Sequence, residues 1–378
     1  MREVLAQLLA WWQAGQTVAM ATVVSTWRSA PRPPGAVLLV GPDGTVVGSV
    51  SGGCVEADVV ALAEGVIASG VPVLARYGVT DADAAAVGLT CGGELEVHVE
   101  AVSATTFPEL ERVAGAVTAG QPVAVATVVE HPDPDRTGRR LVVGPETGEP
   151  QAFGPVLGSG RADAAVADDV RGLLAAGRSE LLTYGPDGER RGTGMRVFAG
   201  VLGPRPRMLV FGSSDFAAAV VRVGAFLGYR VTVCDARSRF TTPARFPAAD
   251  ELVLDWPHRY LSAEAAAGRT DRSTVLCVLT HDPKFDVPLL EVALRLPVGY
   301  VGAMGSRRTH QDRLDRLRQA GLSTAELDRL ASPIGLDLGA RTPEETAVSI
   351  AAEIVGSRWG GAGRPLREVS GRIHHEPV

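Results

Sequence analysis

The hydrophobic pattern of the first half of the chain occurs twice. Residues 14–24 (AGQTVAMATVV) and 119–129 (AGQPVAVATVV) are identical at nine of eleven positions, with an offset of 105 residues. The similarity resumes at 38–42 (LLVGP) and 141–145 (LVVGP). Such self-similarity indicates a duplicated unit. Each copy predicts a helix, a strand, a loop, a second strand, another helix and closing strands. The predicted helices end at glycines, which favour a left-handed cap: Gly15, Gly70, Gly120 and Gly177.

The two copies differ where the first one carries cysteines. The first copy reads SGGCVE at 51–56 and LTCGG at 89–93, whereas the second reads GSGR at 158–161 and GTG at 192–194. A fold that needed those thiols for packing would have kept similar residues in both copies. The asymmetry therefore favours a functional role for the cysteines of the first copy.

The second half of the chain has a different pattern. After a proline-rich break at 203–206 (GPRP), short apolar runs of strand type alternate with helical stretches. This alternation predicts a βαβ series and a mostly parallel sheet with helices on both faces. Two later helices begin with capping boxes, at 323–326 (STAE) and 342–345 (TPEE). The predicted fold class is α/β: an N-terminal duplicated α/β domain, then a Rossmann-like domain with a parallel sheet.

The length of 378 residues predicts more than one domain. The predicted boundaries are 1–105 for the first repeat, 106–203 for a second, degenerate repeat without cysteines, 204–360 for the Rossmann-like domain and 361–378 for a tail over the surface.

Charge and apolar content exclude several classes of protein. The net charge of −6 argues against nucleic-acid binding, which needs a basic face to displace phosphate counterions. No apolar run approaches the roughly 20 residues that span a bilayer, which argues against a membrane partner. The start of the chain predicts an amphipathic helix without a signal-peptide cleavage pattern, so a cytoplasmic location is expected. The four cysteines form no CxxC pair, which argues against a disulfide framework and a zinc site.

The turn after the first strand of the second half resembles a dinucleotide-binding turn only in part. The fingerprint GxGxxG would place glycines at three positions, but the chain has Gly212, Ser214 and Ala217. A serine side chain obstructs the approach of a pyrophosphate, and Asp215 adds negative charge at the start of the helix. Asp235 closes the second strand, where a structural role is the commoner case. The sequence therefore predicts a Rossmann-like fold and argues against bound NAD(P).

Cys54 is the leading candidate for chemistry. Gly52 and Gly53 predict a tight turn with exposed backbone N–H groups, just before a helix predicted over 55–69. Both features favour a thiolate, which can act as a nucleophile or a metal ligand. The alternative is a small buried hydrophobic residue, because free cysteine is often buried.

The other cysteines divide into two groups. Cys91 precedes two glycines and is expected near Cys54, where a functional and a packing role are equally open. Cys234 and Cys277 lie within apolar strands, which favours core packing.

Two segments of the second half are further candidates. His281 follows a buried strand at its carboxyl end, where α/β sheets bind ligands, so it can act as an acid, a base or a ligand. The alternative is a loop in which Asp282 caps the next turn. Gly305, Ser306, Arg307 and Arg308 enter a helix and predict an anion site. The alternative is a basic solvated helix face, which includes Arg313, Arg316 and Arg318.

Six segments together resemble the XdhC/CoxI family, in order and over nearly the whole chain. They are SAPRPPGA (29–36), GSVSGGCVEADVV (48–60), VGLTCGGELEVHVE (87–100), LTHDPKFD (279–286), YVGAMGSRRT (300–309) and SPIGLDLGARTPEETAVSIAAEI (332–354). The first three resemble the XdhC/CoxI domain of the family, and the others resemble its Rossmann-type domain. The turn GSSDFA (212–217) departs from the glycine-rich turn of many members.

The resemblance implies a function as well as a fold. Family members assist the maturation of xanthine dehydrogenase and carbon monoxide dehydrogenase, which implies transient binding of molybdenum cofactor, assistance with its sulfuration and delivery to an apo molybdenum hydroxylase. The cysteine motif of the family corresponds to Cys54, with Gly52, Gly53 and Glu56 around it. Cys54 and Glu56 are then candidate catalytic residues, and Cys54 is a candidate molybdenum ligand. The GSRR loop corresponds to 305–308 and is expected to hold a phosphate. A cysteine desulfurase and a second copy of the chain are further expected partners.

Two other functions compete with this cofactor chaperone. One is an NAD(P)-dependent oxidoreductase that uses the Rossmann-like half, with His281 as acid–base; the missing glycines argue against it. The other is a scaffold between a sulfurtransferase and the target dehydrogenase, whose partner binding would survive the loss of Cys54.

Overall fold

The computed structural model of the chain describes residues 1–27, 32–78, 93–144, 157–370 and 373. The chain folds into two compact units, of which the first is Met1–Pro204 and the second begins at Arg205. Within the described ranges, no helix is both long enough and apolar enough to cross a bilayer.

The first repeat forms an antiparallel sheet with a helix on one face. Its elements are α1 (Leu5–Gln13), β1 (Val18–Trp27), β2 (Val37–Val40), β3 (Val46–Gly48), α2 (Glu56–Ser69), β4 (Val73–Tyr77) and β5 (Glu94–Val102). The strand order is β3-β2-β1-β5-β4, and all four pairings are antiparallel. α2 ends at Gly70, whose φ of 70° is the left-handed cap that the sequence predicts.

The second repeat forms the corresponding sheet. Its elements are α3 (Leu110–Thr118), β6 (Val123–Glu130), β7 (Arg140–Val143), α4 (Gly160–Ala176), β8 (Glu180–Tyr184) and β9 (Met195–Leu202). The strand order is β7-β6-β9-β8, again antiparallel. β1 pairs with β5 as β6 pairs with β9, and both pairings contain a register shift at the equivalent place. The duplicated α/β fold is therefore confirmed.

The alternation of side chains along each strand sorts the first unit into layers. Ala19, Ala21 and Val23 of β1 pack with α2 in one hydrophobic cluster, whereas Met20 belongs to a second cluster that also contains Val125 of β6. Successive residues of a strand point to opposite faces of the sheet. The helix α2 therefore covers one face of the first sheet, and the second sheet lies on the side of the other face.

The second unit is a parallel sheet between helices. Its strands are β10 (Arg207–Phe211), β11 (Arg230–Cys234), β12 (Glu251–Val253), β13 (Val275–Val278), β14 (Tyr300–Ala303) and β15 (Leu330–Ala331). Its helices are α5 (Asp215–Phe226), α6 (Pro257–Ala266), α7 (Pro283–Ala293), α8 (Arg307–Gln319), α9 (Thr324–Leu327) and α10 (Pro343–Trp359). The order β12-β11-β10-β13-β14-β15 with parallel pairing is that of a doubly wound dinucleotide-binding sheet. The Rossmann-like fold is confirmed.

Helix starts in the second unit follow the sequence signals. Ser323 and Thr342 both form capping boxes, in which the glutamate three residues later bonds back to the backbone of the cap. These local bonds fix where α9 and α10 begin. Both capping-box predictions are confirmed.

Candidate functional site

Cys54 lies in the loop that leads from β3 into α2. The loop contains two successive glycines with positive φ, Gly52 at 79° and Gly53 at 122°. Side chains rarely adopt this conformation, so the turn requires glycine at these positions. Cys54 comes two residues before the first residue of α2, and its backbone N–H donates to Ser51 Oγ at 2.9 Å.

The carboxylate of Glu56 holds this loop together. Its Oε1 accepts hydrogen bonds from Ser49 Oγ at 2.7 Å and from the N–H groups of Ser51 at 2.9 Å and Gly52 at 3.0 Å. Its Oε2 accepts from the N–H of Gly53 at 2.8 Å. The sequence predicted exposed glycine N–H groups, but they point inward and donate to Glu56. The loop therefore presents the Cys54 thiol, not a row of free backbone donors.

The hydrogen bonds determine the charge of Glu56. Partial burial favours the neutral acid, but hydrogen bonds from Ser49 and Ser51 outweigh it and lower the pKa to about 2. Glu56 is therefore ionised at neutral pH, and this geometry gives it a positioning role. A catalytic role for Glu56 stays a prediction.

The Cys54 side chain is partly exposed and packs against the hydrophobic cluster between α2 and the first sheet. It is the one cysteine among the described residues that is not buried, because Cys234 and Cys277 lie in the core of the second unit. Burial raises the pKa of both of these thiols to about 12. Cys91 lies outside the described residues. In the described ranges no group of three or more His, Cys, Asp or Glu is placed to hold a metal ion.

The carboxyl edge of the parallel sheet carries the candidates of the second unit. His281 follows β13, and 305–308 follow the adjacent strand β14. His281, Arg307 and Arg308 are exposed. Ser306 caps α8 by accepting from the N–H of Thr309 at 3.1 Å. The two segments thus share one edge of the sheet.

The turn after β10 is closed by its own side chains. Ser214 caps α5 by accepting from the N–H of Ala217 at 3.3 Å. Asp235 accepts from Ser213 Oγ at 2.8 Å and from Arg237 Nη2 at 2.7 Å. An acidic residue at the end of the second strand bonds a ribose in many dinucleotide-binding folds. In this chain Arg237 already bonds to the carboxylate of Asp235. The absence of bound NAD(P), which the sequence favours, stays a prediction.

Sequence reasoning missed a buried ion pair beneath the GSRR segment. The alternative to the anion site was a solvated helix face that included Arg313. Arg313 is instead buried, pairs with Asp286 of α7 at 3.0 Å and donates to the carbonyl oxygen of Met304 at 2.8 Å. The spacing offered a signal, because Arg313 lies four residues before the buried Leu317 and so shares its helix face. Arg313 anchors the turn that carries Arg307 and Arg308.

Sequence reasoning also missed two buried polar residues of β5. His98 and Glu100 lie on the face of the first sheet away from Cys54, and Glu100 pairs with Arg140 of β7 at 2.5 Å. The sequence of β5 predicts an alternating strand. The pattern of one strand does not show which residues of another strand, such as Arg140, lie opposite its side chains.

Both halves of the chain match family models. Residues 11–78 and 116–185 match the model described as the XdhC and CoxI family, and residues 208–354 match the XdhC Rossmann domain.

Three relatives illustrate the range of similarity. The chain is 26% identical over 343 residues to a Bacillus subtilis protein named as a probable subunit of xanthine dehydrogenase, covering 90% of this chain and 92% of the relative. It is 26% identical over 346 residues to the Escherichia coli molybdenum cofactor insertion chaperone PaoD, covering 91% and 85%. The E. coli protein YqeB, described as uncharacterized, is 29% identical over 187 residues, which are 50% of this chain and 34% of that protein.

A solved structure shares the fold. A crystal structure of a protein described as a xanthine dehydrogenase from Bacillus halodurans superposes with a TM-score of 0.66 at 24% identity, covering 93% of this chain and 95% of that one.

Proposed function

The chain belongs to the XdhC/CoxI family, and from that premise we propose that it is an accessory protein that binds molybdenum cofactor as cargo. In this proposal it assists the sulfuration of the cofactor and its insertion into a molybdenum hydroxylase of the xanthine dehydrogenase or carbon monoxide dehydrogenase type. The similarity to a molybdenum cofactor insertion chaperone over 91% of the chain supports the proposal.

The partly exposed thiol of Cys54 is the observation that carries the proposal. A thiolate is a soft ligand, suited to a sulfur-bearing molybdenum centre. The thiol lies at the start of α2, where the helix dipole favours negative charge. The donors of the loop are already used by Glu56, so the loop offers sulfur rather than an anion hole. We assign Cys54 the contact with the metal of the cargo.

The residues around Cys54 act by shaping the loop. Gly52 and Gly53 permit the turn, and Glu56 fixes it through backbone and hydroxyl donors. In this proposal Glu56 is a positioning residue that keeps the thiol at the surface. Cys91 is proposed as a second sulfur ligand from the same repeat.

The residues proposed to bind the phosphate of the cofactor and to exchange protons lie at the carboxyl edge of the parallel sheet. The exposed Arg307 and Arg308 and the start of α8 suit the phosphate of the cofactor. Gly305 and Ser306 form the turn that presents them. His281, exposed at the end of the neighbouring strand, is proposed to exchange protons there.

The proposal names two partners. An apo molybdenum hydroxylase receives the cofactor, and a cysteine desulfurase supplies the sulfur. A homodimer in the cytoplasm is the proposed working form.

Activation of an apo-hydroxylase tests the function. The chain is purified from a host supplied with molybdate and mixed with cofactor-free xanthine dehydrogenase, and the recovered activity is measured. We expect the natural chain to activate the enzyme, and Arg307→Ala/Arg308→Ala to activate it at least about tenfold less, since each lost charged hydrogen bond costs about 1.5–3 kcal/mol. Arg316→Ala, an exposed arginine of the same helix, is the matched control. Activation no greater than with free cofactor would overturn the proposal.

A further inference from the structure

The helix α10 of the second unit carries apolar side chains on two different faces. Ala347, Ile350 and Ile354 are buried in the hydrophobic cluster that α10 shares with α5 and the parallel sheet. Val348 and Val355 lie on a second face of the helix and are 54% and 42% exposed. A helix that is apolar all round is typically buried all round. The single chain therefore covers only one of the two apolar faces of α10.

This second face carries no charged side chain along its middle turns. Between residues 346 and 357 the sequence has one ionisable residue, Glu353. Its carboxylate turns inward and accepts hydrogen bonds from the hydroxyl of Tyr300 and from the N–H of Gly335. A helix face in contact with water normally carries charged and polar residues. We define the α10 face as the uncharged stretch formed by Val348, Ala351, Ala352, Val355 and Trp359.

Phe226 extends the α10 face onto the neighbouring helix α5. It is the last residue of α5 and is 85% exposed. Arg222, one turn earlier in α5, pairs with Glu344 of α10 at 2.9 Å, so Phe226 lies beside the N-terminal end of α10. Trp359 lies at the other end of the face and is also exposed. Large aromatic side chains bury roughly 150–250 Å² each in a contact, and exposed apolar patches mark sites of protein association.

The charged residues of α10 lie at its two ends and have opposite signs. Glu344 and Glu345 are in the first turn, and Arg358 is in the last turn, over the ring of Trp359 at 4.9 Å. Two copies of α10 packed in parallel would bring like charges together. Two copies packed antiparallel bring the acidic start of each helix to the basic end of the other, and their helix dipoles also attract.

The apolar residues of the α10 face have the same symmetry. Val348 and Val355 lie at equal distances from the midpoint between Ala351 and Ala352. In an antiparallel pair centred there, Val348 packs on the partner's Val355, and the same contact occurs again across the two-fold axis. A surface that complements itself in this way is what a symmetric dimer requires. The small alanines at the centre allow the two helices to approach closely.

We infer that the α10 face, extended by Phe226, is the surface through which two copies of this chain associate. The two α10 helices pack antiparallel, with the two-fold axis between Ala351 and Ala352, and Phe226 lies against the partner's Trp359. The inference rests on the proposed function only in taking a homodimer as the assembly. Its tests measure association alone, so their outcome is separate from that of the tests for molybdenum cofactor.

Sedimentation velocity of the full chain over a range of concentrations tests the surface. We expect a species of twice 39.4 kDa. Val355→Glu should raise the dissociation constant at least about tenfold, because the two-fold axis buries two carboxylates without partners. Val71→Glu, at a 60% exposed valine of the first unit, is the matched control and should leave the constant unchanged. A natural chain that is monomeric at every concentration, or equal dissociation constants for Val355→Glu and the natural chain, would overturn the inference.

Crosslinking tests the antiparallel arrangement. In a chain whose Cys54 and Cys91 are replaced by serine, Ala352→Cys places a thiol beside the two-fold axis. A short bismaleimide should join the two copies of this variant. Arg358→Cys, on the same side of the helix, should crosslink at least about tenfold less, because its two copies lie about 20 Å apart along the helices at 1.5 Å per residue. Equal crosslinking of the two variants would overturn the antiparallel pairing.

Discussion

At the scale of single residues, the Cys54 loop depends on one carboxylate. Glu56 gathers donors from four successive residues and from two hydroxyl groups, and thereby closes a turn that two glycines make possible. A loop held in this way presents the thiol in one conformation. Such preorganisation lowers the entropy that binding of a ligand must remove.

Replacing Glu56 tests this role. Glu56→Gln brings an amide NH₂ against backbone donors, and we expect it to lower the free energy of unfolding by about 1–3 kcal/mol. Urea unfolding measures the change, and Glu64→Gln, exposed on the same helix, should stay within about 0.5 kcal/mol of the natural chain. The labelling rate of Cys54 by a thiol reagent should change severalfold in the first variant only. An unchanged rate would argue against a positioning role.

The contribution of Glu56 to the stability of the fold depends on pH in a defined direction. Its pKa is about 2 in the folded chain, below its ordinary value of 4.5. The stabilisation is present above pH 4.5 and is lost as the pH falls toward 2. Glu56→Gln should therefore lose less stability over this range than the natural chain.

His98 predicts a second acid-sensitive step. Its pKa is lowered by burial, so on acidification the unfolded chain binds a proton below pH 6.5 that the folded chain does not bind. Stability is constant above that pH and falls below it, by at most about 1.4 kcal/mol per pH unit from this residue. His98→Phe should lose less stability between pH 7 and 5.5, as measured by urea unfolding. Parallel curves for the two chains would contradict a buried neutral imidazole.

At the scale of elements, the sequence predicts those features that depend on interactions between residues close together in the chain. The repeated hydrophobic pattern, the glycine helix ends and the two capping boxes all involve residues close in the chain, and the structure has them as predicted. The burial of Arg313 was not predicted, because its partner Asp286 lies 27 residues earlier. A partner so distant in the sequence leaves no periodic signal. The same reason hides a cavity of the first unit that His98 helps to line, because its walls come from both repeats.

The buried pair of Arg313 and Asp286 gives a prediction at this scale. Arg313→Met removes the counter-charge of a buried carboxylate, and we expect a loss of about 3–5 kcal/mol in the free energy of unfolding. Arg316→Met, one helical turn away and exposed, should change it by less than about 0.5 kcal/mol. Urea unfolding compares the two. Adding Asp286→Leu to Arg313→Met should recover most of the loss, and no recovery would show that the charge is not the cause.

At the scale of the whole molecule, duplication followed by divergence explains the distribution of chemistry. Both repeats keep the register shift of the central strand pair and the tyrosine at the end of the strand that follows the long helix, Tyr77 of β4 and Tyr184 of β8. The first repeat alone has the SGGC loop and a histidine in the cavity wall. In the proposed function, the first repeat holds the functional groups and the second serves as a scaffold.

The fold class was predictable from the sequence. The repeated hydrophobic pattern covers the first half of the chain, and the alternation of strand and helix patterns covers the second half. The identity of Cys54 as a candidate came from comparing the repeats. The inward direction of the Gly52 and Gly53 N–H groups was not predictable, since it depends on where the Glu56 side chain turns.

Molybdenum content tests the central claim most directly. The natural chain and Cys54→Ser are purified from the same molybdate-supplied host, and molybdenum per chain is measured by mass spectrometry, with thermal unfolding as a check of the fold. If Cys54 holds the metal of the cargo, the folded variant should carry at least about tenfold less molybdenum than the natural chain, the ratio that a loss of about 1.4 kcal/mol produces. Equal molybdenum in both chains would contradict the account.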